Sequence, residues 1–341
     1  MNNTYLVKCW LWTGTLLIIL FTGCFKNDEA LPPYTSSGTQ YENVAEVGKD
    51  YGNQLWFDLE TNTFVKSAPR ELWDLAFDSR PGKYGIWLNS SKKMRLAHLG
   101  HSDWNLIPTD PLTAGLDWQY DESTGSADST AFGQISGHSS VPSGICVLDL
   151  GLKTTGSPLG FASFQLLEAS PTKYVVAYRV NSQDKTDTIE ILRQENYNFV
   201  HLSFYGIPHT LLAEPPASSW DLLFTQYTTR VFYTASTTDF EWYSVNGVLL
   251  NAQDTFGTKD TISTFENIDY ETISQYSYSK IWDVIGYKWK SYDSNLGAYI
   301  IFYHHNYIIK TSEGNYFKLR FVSFVNDQGE RGFPRFQFSK I

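Results

Sequence analysis

Cysteine is scarce in this chain: three among 341 residues, at positions 9, 24 and 146. Two fall in the first 24 residues, so a framework of intramolecular disulfides is not expected. A chain of this length can bury a core without one. The seven histidines are scattered, and no Cys or His cluster has the tight spacing of a zinc site. Basic residues are also few. Twenty-six Lys and Arg against 36 Asp and Glu give a formal charge of -10, which argues against nucleic acid, whose binding rests on Lys and Arg at phosphates. The chain has no Gly-x-Ser-x-Gly elbow, no His-Glu-x-x-His and no P-loop. An enzyme is therefore not expected.

A long apolar run is missing too. Lys8 is followed by Cys9 to Phe21, a stretch short of the roughly 20 residues that span a bilayer. A basic start, a short apolar segment and small residues at a cut site form the pattern of a secretory signal over residues 1–23. Leu20-Phe21-Thr22-Gly23-Cys24 resembles the lipobox of bacterial lipoproteins, which implies acylation of Cys24, palmitate included, and a firm hold on a lipid bilayer. The polar, acidic Phe25-Lys26-Asn27-Asp28-Glu29 resembles the signals that send such lipoproteins to the outer face of the outer membrane. Residues 24–44, with Leu31-Pro32-Pro33, read as a flexible tether.

What the chain has in abundance is aromatic: 11 Trp, 22 Tyr and 22 Phe. Aromatic and β-branched runs broken by Gly, Ser, Thr and Asn predict an all-β fold. Lys173 to Val180, Thr188 to Leu192 and Tyr299 to Tyr303 read as strands, and Tyr307 to Phe321 as a hairpin turning at Ser312-Glu313-Gly314-Asn315. Residues 121–144 read as an exposed insertion, residues 251–264 as turns, and Thr261 to Ile273 as a short helix. One pentapeptide is written twice. Trp73-Asp74-Leu75-Ala76-Phe77 recurs as Trp220-Asp221-Leu222-Leu223-Phe224, each preceded by a strand, Trp56 to Leu59 and Phe199 to Leu202. This predicts two tandem, similar β modules over 45–192 and 193–341. Trp73, Phe77, Trp220 and Phe224 are expected in the core, with Asp74 and Asp221 satisfying backbone donors at strand ends.

The blocks that follow the second copy carry a resemblance. Val245-Asn246-Gly247-Val248-Leu249-Leu250-Asn251, Ile285-Gly286-Tyr287-Lys288-Trp289-Lys290, Tyr307 to Thr311, Gly314 to Phe321 and Gly329 to Phe336 occur in that order. Together they resemble the HmuY-like lipoproteins of Bacteroidota, most specifically over 197–341. The resemblance implies an all-β, haemophore-like protein that binds haem or a related porphyrin and passes it to a TonB-dependent outer-membrane receptor. The founding type holds haem iron between two axial histidines, and relatives use other ligands, including Met; neither axial histidine is matched here residue by residue.

Iron ligands must come from a short inventory. His304 and His305 stand between the strand at 299–303 and the terminal hairpin, where adjacent residues point to opposite faces. His201 and His209 flank a strand end. Met94 and His98 are four apart, with Lys92, Lys93 and Arg95 beside them for propionates. His101 and His138 complete the set. Two other classes remain open: a lipoprotein of the same fold that binds a glycan, a peptide or another non-haem cargo, and a receptor-associated subunit.

Overall fold

Terminal strands show why the chain becomes sheet. In Arg331–Lys340, Gly332, Pro334, Phe336 and Phe338 are buried and alternate with less buried residues as far as Gln337, the period of two that lines one face of a strand. Its partner Tyr316–Val325 buries Phe317, Leu319 and Phe321, and register shifts after Phe321 turn Phe324 inward as well. The computed structural model describes residues 38–135, 143–180, 185–233 and 238–341, and these hold twenty strands, several 3-10 turns and no α-helix. The signal segment 1–23, Cys24 and His138 lie outside the described residues. Among the described residues no helix is long and apolar enough to cross a membrane.

The strands form two halves, each a four-stranded sheet packed on a five-stranded sheet. A contiguous half holds β4 (Leu75–Asp78), β5 (Ile86–Leu88), β6 (Arg95–His98), β7 (Cys146–Asp149), β8 (Phe161–Ala169), β9 (Lys173–Val180), β10 (Asp187–Leu192), β11 (Phe199–Ser203) and β12 (His209–Leu211). Its sheets run β12-β11-β4-β5 and β10-β9-β8-β7-β6. A split half takes strands from both ends of the chain. These are β1 (Tyr41–Val44), β2 (Asn53–Asp58) and β3 (Thr63–Pro69), then β13 (Leu222–Phe232), β14 (Phe240–Leu250) and β15 (Phe256–Asp260). A small hairpin, β16 (Lys290–Asp293) with β17 (Ala298–Ile301), precedes β18 (Asn306–Lys310), β19 (Tyr316–Val325) and β20 (Arg331–Lys340). The sheets of this half run β3-β2-β13-β14 and β1-β20-β19-β18-β15.

Strand for strand the two orders correspond, and so do the registers at the repeated pentapeptide. Leu75, Ala76 and Phe77 face Leu88, Trp87 and Ile86; Leu222, Leu223 and Phe224 face Leu250, Leu249 and Val248. Pairing crosses the expected boundary at 193, however. The strand upstream of the first pentapeptide, β2, pairs with the second (β13), and the strand upstream of the second, β11, pairs with the first (β4). Each half therefore needs strands from both sides of residue 193, and the halves are not consecutive in sequence.

Each half has its own core. One gathers Phe77, Leu96, Leu148, Phe164, Tyr174 and Leu202; the other gathers Phe57, Phe224, Trp289, Phe321, Phe336 and Phe338. A large apolar side chain fully buried in this way contributes roughly 1.5–3 kcal/mol. Phe77 and Phe224 occupy these two cores. Trp220 is buried as expected, but in a separate small core cluster with Trp56, Ala68 and Leu223, whereas Trp73 is only half buried and lies against Ala76, Trp87 and Phe199. Three further expectations change. Tyr41–Val44, expected in the tether, is an edge strand on β20 because Tyr41 stacks on Phe338. Residues 256–260, expected as turns, pair with β18, and 261–273 holds 3-10 turns in place of an α-helix.

Candidate functional site

The repeat builds the same local frame twice. In each copy a 3-10 turn after a proline (Pro69, Pro216) leads into the Trp-Asp pair. The Asp74 carboxylate accepts the Phe204 backbone N–H at 2.5 Å, and the Asp221 carboxylate accepts that of Leu59 at 2.9 Å. Asn89 donates to the carbonyls of Arg70 and Trp73, and Asn251 to those of Ala217 and Trp220. These bonds satisfy backbone groups that burial would otherwise strand. One difference stands out: Lys92 is buried and ion-paired with Asp74. Among the described residues no cation pairs with Asp221; burial, with Asp58, Glu313 and Glu60 nearby, pushes its carboxyl up to about 7.

Where the halves meet lies a cavity of about 100 Å³, walled by Trp56, Trp73, Trp87, Trp220, Trp282 and Phe199. Trp87 Nε1, Trp220 Nε1 and Tyr227 Oη line it without a hydrogen-bond partner among the described residues. His201 is here. Its Nδ1 accepts the Ala213 N–H at 3.3 Å, its ring meets Trp73 edge to face, and burial pushes its pKa down to about 3, so it is neutral. Burial raises the carboxyl of Glu214 to about 8 and that of Asp121 to about 7, although each accepts backbone N–H groups. Residues 121–124, expected to be exposed, strap the halves together because their polar groups find partners there. Ser123 bonds Asp283, Glu122 pairs with Arg230, and Trp282 N–H donates to Thr124. The space is smaller than the roughly 150 Å³ cavity that accepts benzene and cannot admit a porphyrin.

A second space is of ligand size. A groove of about 760 Å³ runs along the edge of β13 and β14, with Lys93 and Leu152 contributed by the contiguous half. Small-molecule sites commonly span about 300–1,000 Å³. Tyr51, Tyr243, Tyr287, Tyr292, Tyr299 and Phe324 give it aromatic walls, and Lys93, Lys290 and Arg331 are its cations. No Asp, Glu, His or Met is among the described residues that line it. Its geometry follows from one close approach. A Cβ at Gly247 would stand 2.5 Å from the Gly286 carbonyl oxygen, and Val248 exchanges two backbone bonds with Gly286. Glycine at 247 lets the 284–290 segment cross β14, which brings Tyr287 and Lys290 beside Asn246. Lys290 Nζ donates to the Asn246 carbonyl at 2.6 Å and lies over the rings of Trp289 (4.0 Å) and Phe324 (4.3 Å). Tyr51, held at a φ of 55°, stacks on Phe324 with the Arg331 guanidinium over its ring.

The histidine and methionine candidates do not converge. His304 is exposed and His305 half-exposed in the turn between β17 and β18, their rings 4.6 Å apart, with His305 Nδ1 at 3.1 Å from the Lys288 carbonyl. His209 is exposed on edge strand β12. Met94 is 1 % exposed in the core of the contiguous half. His98 contacts the Ala131 carbonyl and Cys146 Sγ, and half-buried His101 accepts the Asp103 N–H. Of the basic neighbours of Met94, Lys92 is buried and Arg95 is paired with Asp149; Lys93 alone reaches the groove. Among the described residues no group of three or more His, Cys, Asp and Glu is placed to hold a metal ion. The groove residues were not singled out from sequence as a site, yet Asn246, Tyr287, Lys290 and Arg331 all lie in the blocks that carry the family resemblance.

Comparison with known proteins fits that resemblance. No curated protein matches the chain. Among solved structures, apo PinO from Porphyromonas gingivitis is 10% identical, with 90% of this chain and 98% of that one covered and a TM-score of 0.29. A structure described as a HmuY-like heme binding protein from Bacteroides vulgatus is 16% identical over 38% of this chain and 78% of that one, with a TM-score of 0.17. A lipoprotein from Bacteroides fragilis is 15% identical over 52% and 88%, with a TM-score of 0.18. At these scores the structural likenesses carry no argument. The sequence model of the HmuY protein family, by contrast, matches residues 50–338, and the chain belongs to that family.

Proposed function

We propose that this protein is an outer-membrane lipoprotein, acylated at Cys24 and facing the cell exterior, that binds a porphyrin in the groove beside β14 and delivers it to a TonB-dependent receptor. The HmuY family is non-catalytic and is associated with haem binding. One observation carries the assignment of the site: a 760 Å³ space with tyrosine walls and three cations, free of carboxylates, on a chain whose net charge is -10. A flat apolar dianion would stack on the rings and meet its charge there. Iron in such a ligand would find no histidine or methionine, so the groove suits the porphyrin ring itself, with tyrosine oxygens among the iron ligands its walls offer. The matching strand orders of the two halves support descent from one duplicated module, 45–192 and 193–341, whose leading strands have exchanged.

Titration with haemin and with iron-free protoporphyrin IX tests this reading. Saturable one-to-one binding of both, weakened by Tyr243→Ala, is the expected result. Binding of haemin alone, lost on substitution of His304 and His305, would move the site to the β17–β18 turn. A second reading, a glycan cargo, is favoured by the exposure of Tyr243 and Tyr292, each more than half exposed on the groove's rim. Failure of both porphyrins to bind, with saturable binding of an oligosaccharide, would establish it in place of the first.

A further inference from the structure

We propose that Lys290 and Asn246 form a seat for a carboxylate of the groove's ligand; this inference rests on the porphyrin reading above. Three observations meet at this point. Lys290 is 7 % exposed, and no ion pair to it is present among the described residues. Among the described residues its ammonium makes one hydrogen bond, to the Asn246 carbonyl, which leaves two of its three donors to be used. Asn246 is also 7 % exposed, it lines the groove, and both polar atoms of its side-chain amide lack a partner among the described residues.

Each of these is costly to leave as it stands. A buried ammonium without a counter-ion loses its hydration, and burial alone pushes Lys290 down to about 7. A buried amide with neither oxygen nor nitrogen bonded forfeits the desolvation cost of both. The rings of Trp289 and Phe324 give the ammonium an attractive face, but neither ring neutralises it. A ligand carboxylate accepts from Lys290 and from the Asn246 amide together, and so satisfies in one contact the donors that the fold has left open. Arg331, over the Tyr51 ring that stacks on Phe324, provides a second cation for a second acid group. The seat thus selects dicarboxylate porphyrins over neutral ones, with stacking on the tyrosines common to both.

The test uses protoporphyrin IX and its dimethyl ester as paired probes, with tryptophan quenching and calorimetry on the purified protein. The expected result is that the diacid binds roughly ten- to a hundredfold more tightly than the ester, as a charge-assisted bond implies. Lys290→Met should remove most of that preference, weakening the diacid far more than the ester, with the remainder owed to Arg331. Asn246→Leu should weaken the diacid alone, by about fivefold or more, while its melting temperature holds or rises, because an unsatisfied amide is replaced by an apolar group. That combination separates a ligand seat from a structural pair, whose loss would lower stability. Equal affinity for diacid and ester in the unmodified protein overturns the seat and leaves the porphyrin groove standing. Loss of both probes' binding in the unmodified protein overturns the groove reading, and the seat falls with it.

Discussion

The two halves are one design carried out twice with different inserts. Both run a four-stranded sheet against a five-stranded one in the same order, and both fix the Trp-Asp corner with an aspartate and an asparagine. They differ most between the first and second strands of the five-stranded sheet. In the contiguous half that connection, from β6 to β7, includes the 121–124 strap that ties the halves together. In the split half, the connection from β15 to β18 folds into the β16–β17 hairpin and supplies Tyr287, Lys290 and Tyr299 to the groove. The same strand order thus carries the strap between the halves in one case and the walls of the groove in the other, the pattern expected when loops vary on a rigid frame.

The largest expected effect concerns which pieces of chain can stand alone. Residues 69–215 contain every strand of the contiguous half, whereas 45–192 contains β4 without its partner β11 and β2 without β13. Expressed separately, the first fragment should give a cooperative urea transition and the second should give none. A folded, monomeric 45–192 would break the account of exchanged strands, because the β2–β3 pair would have to find a substitute for β13, and β4 a substitute for β11, within the same fragment.

Next in size is the contrast between the two aspartates. Asp74→Asn leaves Lys92 buried opposite a neutral amide, and breaking a buried pair in this way costs about 3–5 kcal/mol. Asp221→Asn keeps an acceptor for the Leu59 N–H and removes no cation's partner, so about 1 kcal/mol or less is expected at pH 7. Equal losses in equilibrium denaturation would mean that the ion pair is not what distinguishes the halves.

Asp221 also adds a pH dependence. Its carboxyl is held at about 7 against an ordinary 3.8. A raised acid contributes stability that is fully present below the unfolded pKa and is lost as pH rises through the folded one. The protein should therefore lose up to a few kcal/mol between about pH 4 and pH 7 from this group. In Asp221→Asn the loss over that range should shrink by this group's share, with Asp121 and Glu214 accounting for what remains. An unchanged slope would assign the loss to Asp121 or Glu214, the other buried carboxyls raised to the same range.

Much of this frame was legible in the chain because it depends on local pattern. Lys173 to Val180 alternates and is β9 as written; the doubled pentapeptide marks the two corners because the same backbone groups need the same Asp. What the sequence did not disclose is pairing at a distance. Trp56 to Leu59 looks the same whether it joins the nearer copy or the farther one, since β2 faces a Leu-x-Phe strand in either arrangement. The groove was hidden for a related reason. Tyr51, Asn246 and Lys290 are far apart in sequence, and the crossing at Gly247 and Gly286 brings the segment with Lys290 beside Asn246. Histidines drew attention because they can bind iron, yet His304, His305, His209, His98 and Met94 stand in a turn, on edge strands or inside a core, and His201 lines the seam cavity.

That last residue supports the smallest and most specific test. By register His201 occupies, opposite Ala76, the place that Trp56 holds opposite Leu223. A bulky ring faces the seam from both halves, and only one of them titrates. His201 is held at about 3 by burial, with Lys66 adding to the effect, against an ordinary 6.5. A depressed base contributes stability that is present above the unfolded pKa and is lost as pH falls toward the folded one. The intact protein should therefore weaken between about pH 6.5 and pH 3, through this group, as the unfolded chain takes up a proton that the seam refuses. His201→Phe removes the acceptor of the Ala213 N–H and should cost about 1 kcal/mol at neutral pH. The variant should then lose less than the parent on acidification, so the two stability curves converge as pH falls. Parallel curves would mean that the imidazole is already charged in the fold, and that the seam between the halves is wetter than its ring of tryptophans implies.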